Sequence, residues 1–345
     1  MTAPPRPGDL VLGIETSCDD TAAAVVAGGR RVLSSIVANQ DSLHAQFRGV
    51  VPEVAGRAHL DHIEDVVQRA LSEADVRLDD LRGIAVTERP GLVGSLLVGL
   101  SYGKALAWAR GLPLVGVHHI EAHAFAATME HDTVVYPALA LVVSGGHTAL
   151  YRMDGPGRLT PIARTMDDAA GEAFDKVANL LGLGYPGGPA LSRLAEGGDP
   201  TAINFPRYRA KPGRPGFSFS GLKTAVLYHL RGQDALAPTP PPEAIHNPAD
   251  VAASFEAAAV DALVEPTLAA ARAGGFVTLL AAGGVACNRR LRAELTRRGG
   301  EAGLAVLLPS PAYCTDNAAM IAGLGWHHLA AGRRASPALD ASPRG

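Results

Sequence analysis

The chain has little cysteine: Cys18, Cys287 and Cys314 in 345 residues, with no CxxC pair. That excludes a disulfide framework and a cysteine zinc ribbon, and an odd, sparse count points to a reducing compartment. It also lacks an excess of either charge. The formal net charge is −3, so bulk charge would not bind nucleic acid and any such contact has to be local. The opening residues, MTAPPRPGDL, show no apolar signal core. The most apolar segment, residues 92–108, is interrupted by Ser95, Gly99, Tyr102 and Lys104, which argues against a membrane span. Walker A and GxGxxG loops are missing, so neither a P-loop NTPase nor a Rossmann dehydrogenase is supported. The expectation is a soluble, cytoplasmic protein.

What the chain does have is apolar bulk. Its 47% hydrophobic content supports a large buried core, and its length suits two domains or two lobes of one fold. Apolar runs over 10–14, 22–27 and 32–37 predict three strands, the first two joined by the polar turn 15–21. Helical periodicity covers 53–74, with His59 and His62 expected on a solvated face. A short strand at 83–87 precedes a helix opened by Pro90-Gly91, since proline suits a first turn. Ser95, Gly99 and Gly103 give that helix one small-residue side where another backbone could approach. A strand at 114–117 leads into a helix beginning at His119.

From residue 138 the pattern restarts. Apolar residues 138–143, the turn Ser144-Gly145-Gly146-His147, and apolar residues 148–151 repeat the strand–turn–strand unit about 130 residues on, which suggests a fold-level duplication. Helices are expected over 172–181, 189–195, 251–273, 288–298 and 315–331, and strands over 277–281 and 305–308. Residues 197–220 are Gly/Pro-rich and basic, and 232–249 reads as a loop. Strands alternating with helices call for an α/β fold.

Three kinds of feature carry chemistry. His119 and His123 are four apart on one helix face, within reach of one metal ion. Twelve histidines give roughly 0.4 such pairs by chance, so the spacing alone fits either a metal site or a helix surface. Asp316, before the last helix, is either an N-cap or a third ligand. The second kind is a pair of matched turns, Glu15 to Thr21 and Ser144 to Thr148. Each has small side chains or glycines at a strand end, and together they suggest phosphate-facing turns across a cleft. The third is Gly283-Gly284 running into Asn288, a strand–glycine–helix junction where a nucleoside could lie against backbone. A zinc protease is the competing reading of HxxxH. It needs glutamate directly after the first histidine, whereas Ile120 stands there and Glu121 points away from the metal side.

The segments GIETSCDDT (13–21), VVPEVAGRAH (50–59), PGLVGSLLVGLSYGKALA (90–107), HHIEAH (118–123), LVVSGGHT (141–148), DDAAGEAFDKVANLLGLGYPGGP (167–189), FSFSGLKTA (217–225), AGGVACNRRLR (282–292) and CTDNAAMIA (314–322) resemble the tRNA N6-adenosine threonylcarbamoyltransferase family. This is the bacterial TsaD type, formerly described as a sialoglycoprotein endopeptidase. Nine motifs in order span roughly residues 10–330.

The resemblance implies the actin-like ATPase/sugar kinase/Hsp70 fold, two lobes of duplicated RNase H-like topology with a nucleotide in the cleft. The expected division is a disordered tail at 1–8, a partner-facing lobe at 9–130, a nucleotide-binding lobe at 131–317, a returning helix at 318–332 and a tail at 333–345. It implies an acyltransferase that moves a threonylcarbamoyl group from threonylcarbamoyl-adenylate to N6 of adenosine 37 in tRNAs reading codons that begin with adenine, with release of AMP. Another enzyme would make the adenylate. One divalent metal, iron(II) (Fe(2+)) or alternatively zinc (Zn(2+)), would be held by His119, His123 and Asp316. The nucleotide would lie against Val142, Val143, Ser144, Gly145, Gly146, Asp175, Gly188 and Asn288, with Lys223 and Ser192 as further candidates. Asp19 is the candidate base for the amine proton. Expected partners are tRNA, a degenerate paralogue (TsaB) and a small ATPase (TsaE). The 92–109 helix is the candidate paralogue dock, with packing inside its own lobe as the alternative. Candidate tRNA contacts are Arg207, Arg209, Lys211, Arg214, Arg289, Arg290 and Arg292. Two departures stand out: Arg89 where relatives usually have glycine, and Ser192 where many have an acidic residue.

Overall fold

A computed structural model of the chain describes residues 5–47, 49–210, 216–232 and 241–344. Lys211, Arg214 and residues 233–240 of the 232–249 stretch lie outside the described residues. The chain divides into two compact units: Met1–Thr133 with Asp154–Leu159 and Pro309–Gly345, and Val134–Met153 with Thr160–Leu308.

The first unit holds β1 (Leu10–Glu15), β2 (Thr21–Ala27), β3 (Arg31–Ala38), α1 (Asp41–His44), α2 (Pro52–Glu73), β4 (Leu81–Arg89), α3 (Val93–Arg110), β5 (Leu114–His118), α4 (His119–Met129) and α10 (Ala318–Ala330). Its sheet runs β3-β2-β1-β4-β5. β1 is antiparallel to β2 and parallel to β4, which is parallel to β5. Strands covered on both faces read as continuous apolar runs, and β1 and β2 do so. Alternate residues of β1 serve opposite faces. Leu12 and Ile14 join one core with Ile63, Val66 and Val67 of α2 and Leu100 of α3. Gly13 faces α10. A Cβ there would fall inside contact distance of the Ala318 carbonyl and lie 2.6 Å from the Ala322 nitrogen. The glycine therefore lets α10 come down onto β1.

Two expectations are corrected in this unit. The small side of α3 is not a docking face. Ser95, Gly99 and Gly103 are turned inward, with Gly99 against Thr16 and Gly103 against Val86, while Val93, Leu97 and Trp108 are exposed. His59 is fully buried, not solvated, because its two ring nitrogens find partners inside (below). Arg89 raises no backbone conflict: the non-glycine residues with positive φ among those described are Asp75 and Asn247. Residues after α10 run along the sheet's β5 side. The Ala335 amide donates to the Leu114 carbonyl and the Ser342 amide to the Glu88 carbonyl, both at 2.7–2.9 Å.

The second unit holds β6 (Ala138–Val143), β7 (Thr148–Met153), β8 (Leu159–Arg164), α5 (Ala170–Leu180), α6 (Gly187–Ala195), α7 (Ser220–Arg231), α8 (Pro248–Gly274), β9 (Thr278–Ala282), α9 (Arg289–Glu301) and β10 (Ala305–Leu307). Its sheet order is β8-β7-β6-β9-β10. With β6 as the first strand this is the same 3-2-1-4-5 order, and β6 is antiparallel to β7 and parallel to β9. The duplication expected from two hairpins is thus present in the whole sheet. β8 and α7 were not expected from the sequence. β8 carries Pro161, which suits only an edge strand, and α7 starts without a side-chain cap at Phe219.

Candidate metal centre and nucleotide-side turns

In the first unit, β1, β4 and β5 are neighbours running the same way, so their C-terminal ends bring Glu15, Thr87 and His118 to one edge. α4 starts there. His118 caps it, its Nδ1 accepting the Ile120 amide at 3.2 Å, which makes His118 a neighbour of the pair and leaves His119 and His123 one turn apart. Their rings meet edge to face, with centroids 4.6 Å apart. Asp316 arrives from the start of α10. Asn317 is that helix's cap, accepting the Met320 amide at 3.0 Å. The Asp316 carboxylate instead reaches the histidines: Oδ1 is 3.0 Å from His123 Nε2 and 3.6 Å from His119 Nε2.

One donor atom from each of the three lies within 4.8 Å of the others. Ligands bonded at about 2.1 Å to one ion stand roughly 3.0–3.4 Å apart, so the set fits a divalent metal with small adjustment. Two imidazoles and one carboxylate suit iron or zinc better than calcium or magnesium.

Glu15 was missed as a member of this centre. It is fully buried. Its Oε2 accepts from the Thr87 hydroxyl at 2.7 Å and stands 2.9 Å from His119 Nδ1, while Oε1 accepts the Ser17 amide at 2.5 Å. Burial opposes charge on both partners, yet their mutual attraction wins: the Glu15 carboxyl is held below its usual range and His119 is pushed up. A polar residue closing an otherwise apolar strand was the available signal.

The turn after β1 is pinned by His59 of α2. Its Nδ1 lies 2.8 Å from the Thr21 hydroxyl and its Nε2 3.0 Å from the Cys18 carbonyl, and burial keeps it neutral by lowering its pKa. The turn is acidic. Burial raises the Asp19 pKa, and Asp316 adds to the rise. Burial with the charges of Asp316, Asp19 and Asp41 pushes Asp20 up to about 8. Burial and the carboxylates of Asp19, Asp316 and Asp20 drive the Cys18 pKa upward, which disfavours its thiolate.

In the second unit, Val142 and Val143 are buried strand residues of β6, and Ser144 to Gly146 form the turn beyond them. The Ser144 amide donates to the His147 carbonyl at 2.8 Å, and the His147 amide to Ser144 Oγ at 3.2 Å. Gly283, at φ +97°, lets its backbone lie against Val143. Asp175 holds the start of α6, its Oδ1 accepting the Gly187 and Gly188 amides at 3.0 Å. Asn288 caps α9 through Oδ1 and donates Nδ2 to Ser192 Oγ at 2.9 Å and Glu256 Oε1 at 2.6 Å. Glu256, 8% exposed, was also missed; it stands on α8, distant from Asn288 in sequence. Lys223 is ion-paired with Asp168 at 2.6 Å, which Lys176 also meets. Of the basic candidates, Arg207 pairs with Asp261 and Arg289 with Glu196.

No helix among the described residues is long and apolar enough to cross a membrane.

The fold has counterparts among solved structures. HypF from T. kodakarensis aligns with TM-score 0.61 at 16% identity over 96% of this chain and 48% of that one. Component A of the Acidaminococcus fermentans (R)-2-hydroxyglutaryl-CoA dehydratase aligns with TM-score 0.55 at 14% identity over 93% and 99%. The fold is the actin-like ATPase/sugar kinase/Hsp70 type. In sequence, the chain is 55% identical over 332 residues to a Geobacter sulfurreducens protein named tRNA N6-adenosine threonylcarbamoyltransferase, covering 96% of this chain and 95% of the relative. It is 53% identical over 323 residues to a protein of that name from Syntrophotalea carbinolica, covering 94% and 92%. The profile of the family TsaD, tRNA N6-adenosine threonylcarbamoyltransferase, matches residues 31–323. The chain belongs to that family.

Proposed function

We propose that this acyltransferase takes its threonylcarbamoyl group from threonylcarbamoyl-adenylate and places it on N6 of adenosine 37 in tRNAs that read codons beginning with adenine. The observation that carries the reading is the His119/His123/Asp316 cluster in a chain of this family. Nothing in the comparisons favours the endopeptidase alternative, and Ile120 still stands where that chemistry needs its base.

The donor is a mixed carbamic–phosphoric anhydride, already activated; the acceptor is a weakly nucleophilic exocyclic amine. The new bond joins N6 to the carbamoyl carbon, the carbon–oxygen bond to phosphate breaks, and AMP leaves with that electron pair. Asp19 is the group proposed to take the N6 proton. Burial raises its pKa above the ordinary carboxylate value, which makes it a stronger base. His119, His123 and Asp316 would hold the metal, iron(II) in first place and zinc in second, which when bound supplies positive charge to a phosphate oxygen. In the second unit, the amides of the Ser144–Gly146 turn would face phosphate, and Val142, Val143, Asp175, Gly188, Ser192 and Asn288 would receive the nucleoside. Asp175 acts there through the Gly187 and Gly188 amides it orders. Lys223, engaged with Asp168, orders the segment beside α7. Orientation of donor and acceptor would supply much of the rate.

tRNA is the acceptor. A degenerate paralogue (TsaB) and a small ATPase (TsaE) are proposed as partners, with the exposed Val93, Leu97 and Trp108 side of α3 as the dock for the paralogue. The cytoplasm is the proposed compartment. Reconstitution with unmodified tRNA, threonylcarbamoyl-adenylate and iron(II), followed by nucleoside analysis, tests the reading. Threonylcarbamoyladenosine should accumulate; its absence in the presence of both partners would reject the proposed donor.

A further inference from the structure

We propose that Glu15 is a positioning residue of the metal centre, fixing the His119 ring so that Nε2 presents its lone pair to the ion. The inference rests on the metal reading above. A fully buried carboxylate costs several kcal/mol unless its charge is met. Glu15 meets it three times, with the Ser17 amide, the Thr87 hydroxyl and His119 Nδ1. These groups come from the end of β1, from β4 and from the start of α4, so the ring is held from three neighbouring elements.

An ionised carboxylate only accepts hydrogen bonds. Both Glu15 oxygens already accept, from the Ser17 amide and the Thr87 hydroxyl, so the facing His119 Nδ1 is the donor. In the neutral ring that takes up a metal, the lone pair then lies on Nε2, the nitrogen on the Asp316 side at 3.6 Å. Carboxylate–histidine–metal chains of this form set the tautomer and raise ligand basicity. Ser17 Oγ, 3.2 Å from the same Nδ1, borders the contact and can share it. His123 differs. Its Nδ1 is buried and has no hydrogen-bond partner among the described residues, so the two imidazoles are unequal: one is oriented by a dedicated acceptor, the other by helix packing and Asp316.

The test uses the full-length chain, stripped of metal and titrated with Co(II), whose visible absorption reports ligand set and geometry. Glu15→Gln keeps size and removes the charge. Co(II) affinity should fall by about 10- to 100-fold, with altered band positions. A merely structural Glu15 would lower the thermal midpoint of the metal-free protein and leave affinity and bands unchanged in the folded fraction. A folded Glu15→Gln binding Co(II) within twofold of wild type, with the same spectrum, overturns the inference. Should that variant not fold, the wild type decides. With ring-15N histidine and Zn(II), His119 (assigned from its loss in His119→Gln) should show a protonated Nδ1 and a metal-shifted Nε2; the reverse pattern overturns the inference. Wild-type protein that binds no metal would instead reject the metal centre itself.

Discussion

A carboxylate just before a helix competes between capping and reaching outward. Here the two tasks fall on adjacent residues: Asn317 caps α10 and Asp316 turns to His119 and His123. The division makes two separable predictions. Asp316→Asn should weaken metal binding by about 100-fold or more, since loss of an outer-sphere partner alone costs 10- to 100-fold, with little change in metal-free stability; calorimetric titration measures it. Asn317→Ala should cost about 1 kcal/mol of stability through the lost cap, with metal affinity within a few-fold of wild type. Asp19 makes a third. As the proposed base it must be unprotonated to act, and burial raises its pKa. Transfer should therefore fall as pH drops, beginning above the ordinary carboxylate range. Asp19→Ala should lower the rate by about 10²–10⁴ and flatten that acidic limb while metal stays bound. A wild-type rate in the variant would remove Asp19 from the chemistry.

Between elements, the metal centre depends on how closely α10 approaches β1. Gly13 sets that distance, because a Cβ would meet backbone at Ala318 and Ala322 and not a side chain that could move aside. Gly13→Ala should cost about 1–3 kcal/mol by overpacking and weaken metal binding as Asp316 shifts with the start of α10. Unchanged metal affinity in a destabilised variant would show that the helix start relaxes independently. At this scale the sequence was legible where one element spoke for itself. The apolar runs of β1, β2 and β6 gave the strands, and one repeated hairpin announced what proved to be a repeated 3-2-1-4-5 sheet. The i, i+4 spacing of His119 and His123 gave their shared face. Glu15 was not legible as their partner, because its contact runs across β4, and strand order is absent from local pattern. His59 looked like helix surface for the same reason: its partners, Thr21 and Cys18, stand on a different element. Small residues on α3 signalled close approach correctly but not which backbone approaches, and the answer was the unit's own sheet.

For the molecule as a whole, stability against acid should turn on His328. This residue of α10 is 6% exposed and lines a cavity of about 240 Å³ with Glu88, Arg89, Glu121, Arg333 and Arg334. Burial, reinforced by Arg333 and His327, drives its pKa down to about 4 against a hydrogen bond to the Gly116 backbone. In the unfolded chain it titrates near 6.5. Between those values the unfolded form holds a proton that the folded form does not, so stability rises with pH across the window. The contribution is complete above about 6.5, is lost as pH falls towards about 4, and amounts to at most about 3 kcal/mol. Asp20 acts in the opposite sense. Its folded pKa of about 8 exceeds the unfolded value, so protonation favours the folded form as pH falls, and a wild-type profile alone would blend the two. Comparison with His328→Gln separates them. Urea midpoints measured from pH 7.5 to 4.5 should fall less steeply in the variant than in wild type, the difference opening below about pH 6.5. Parallel profiles would mean that His328 takes up its proton without unfolding the chain, with Glu88 or Glu121 across the cavity as the compensating charge.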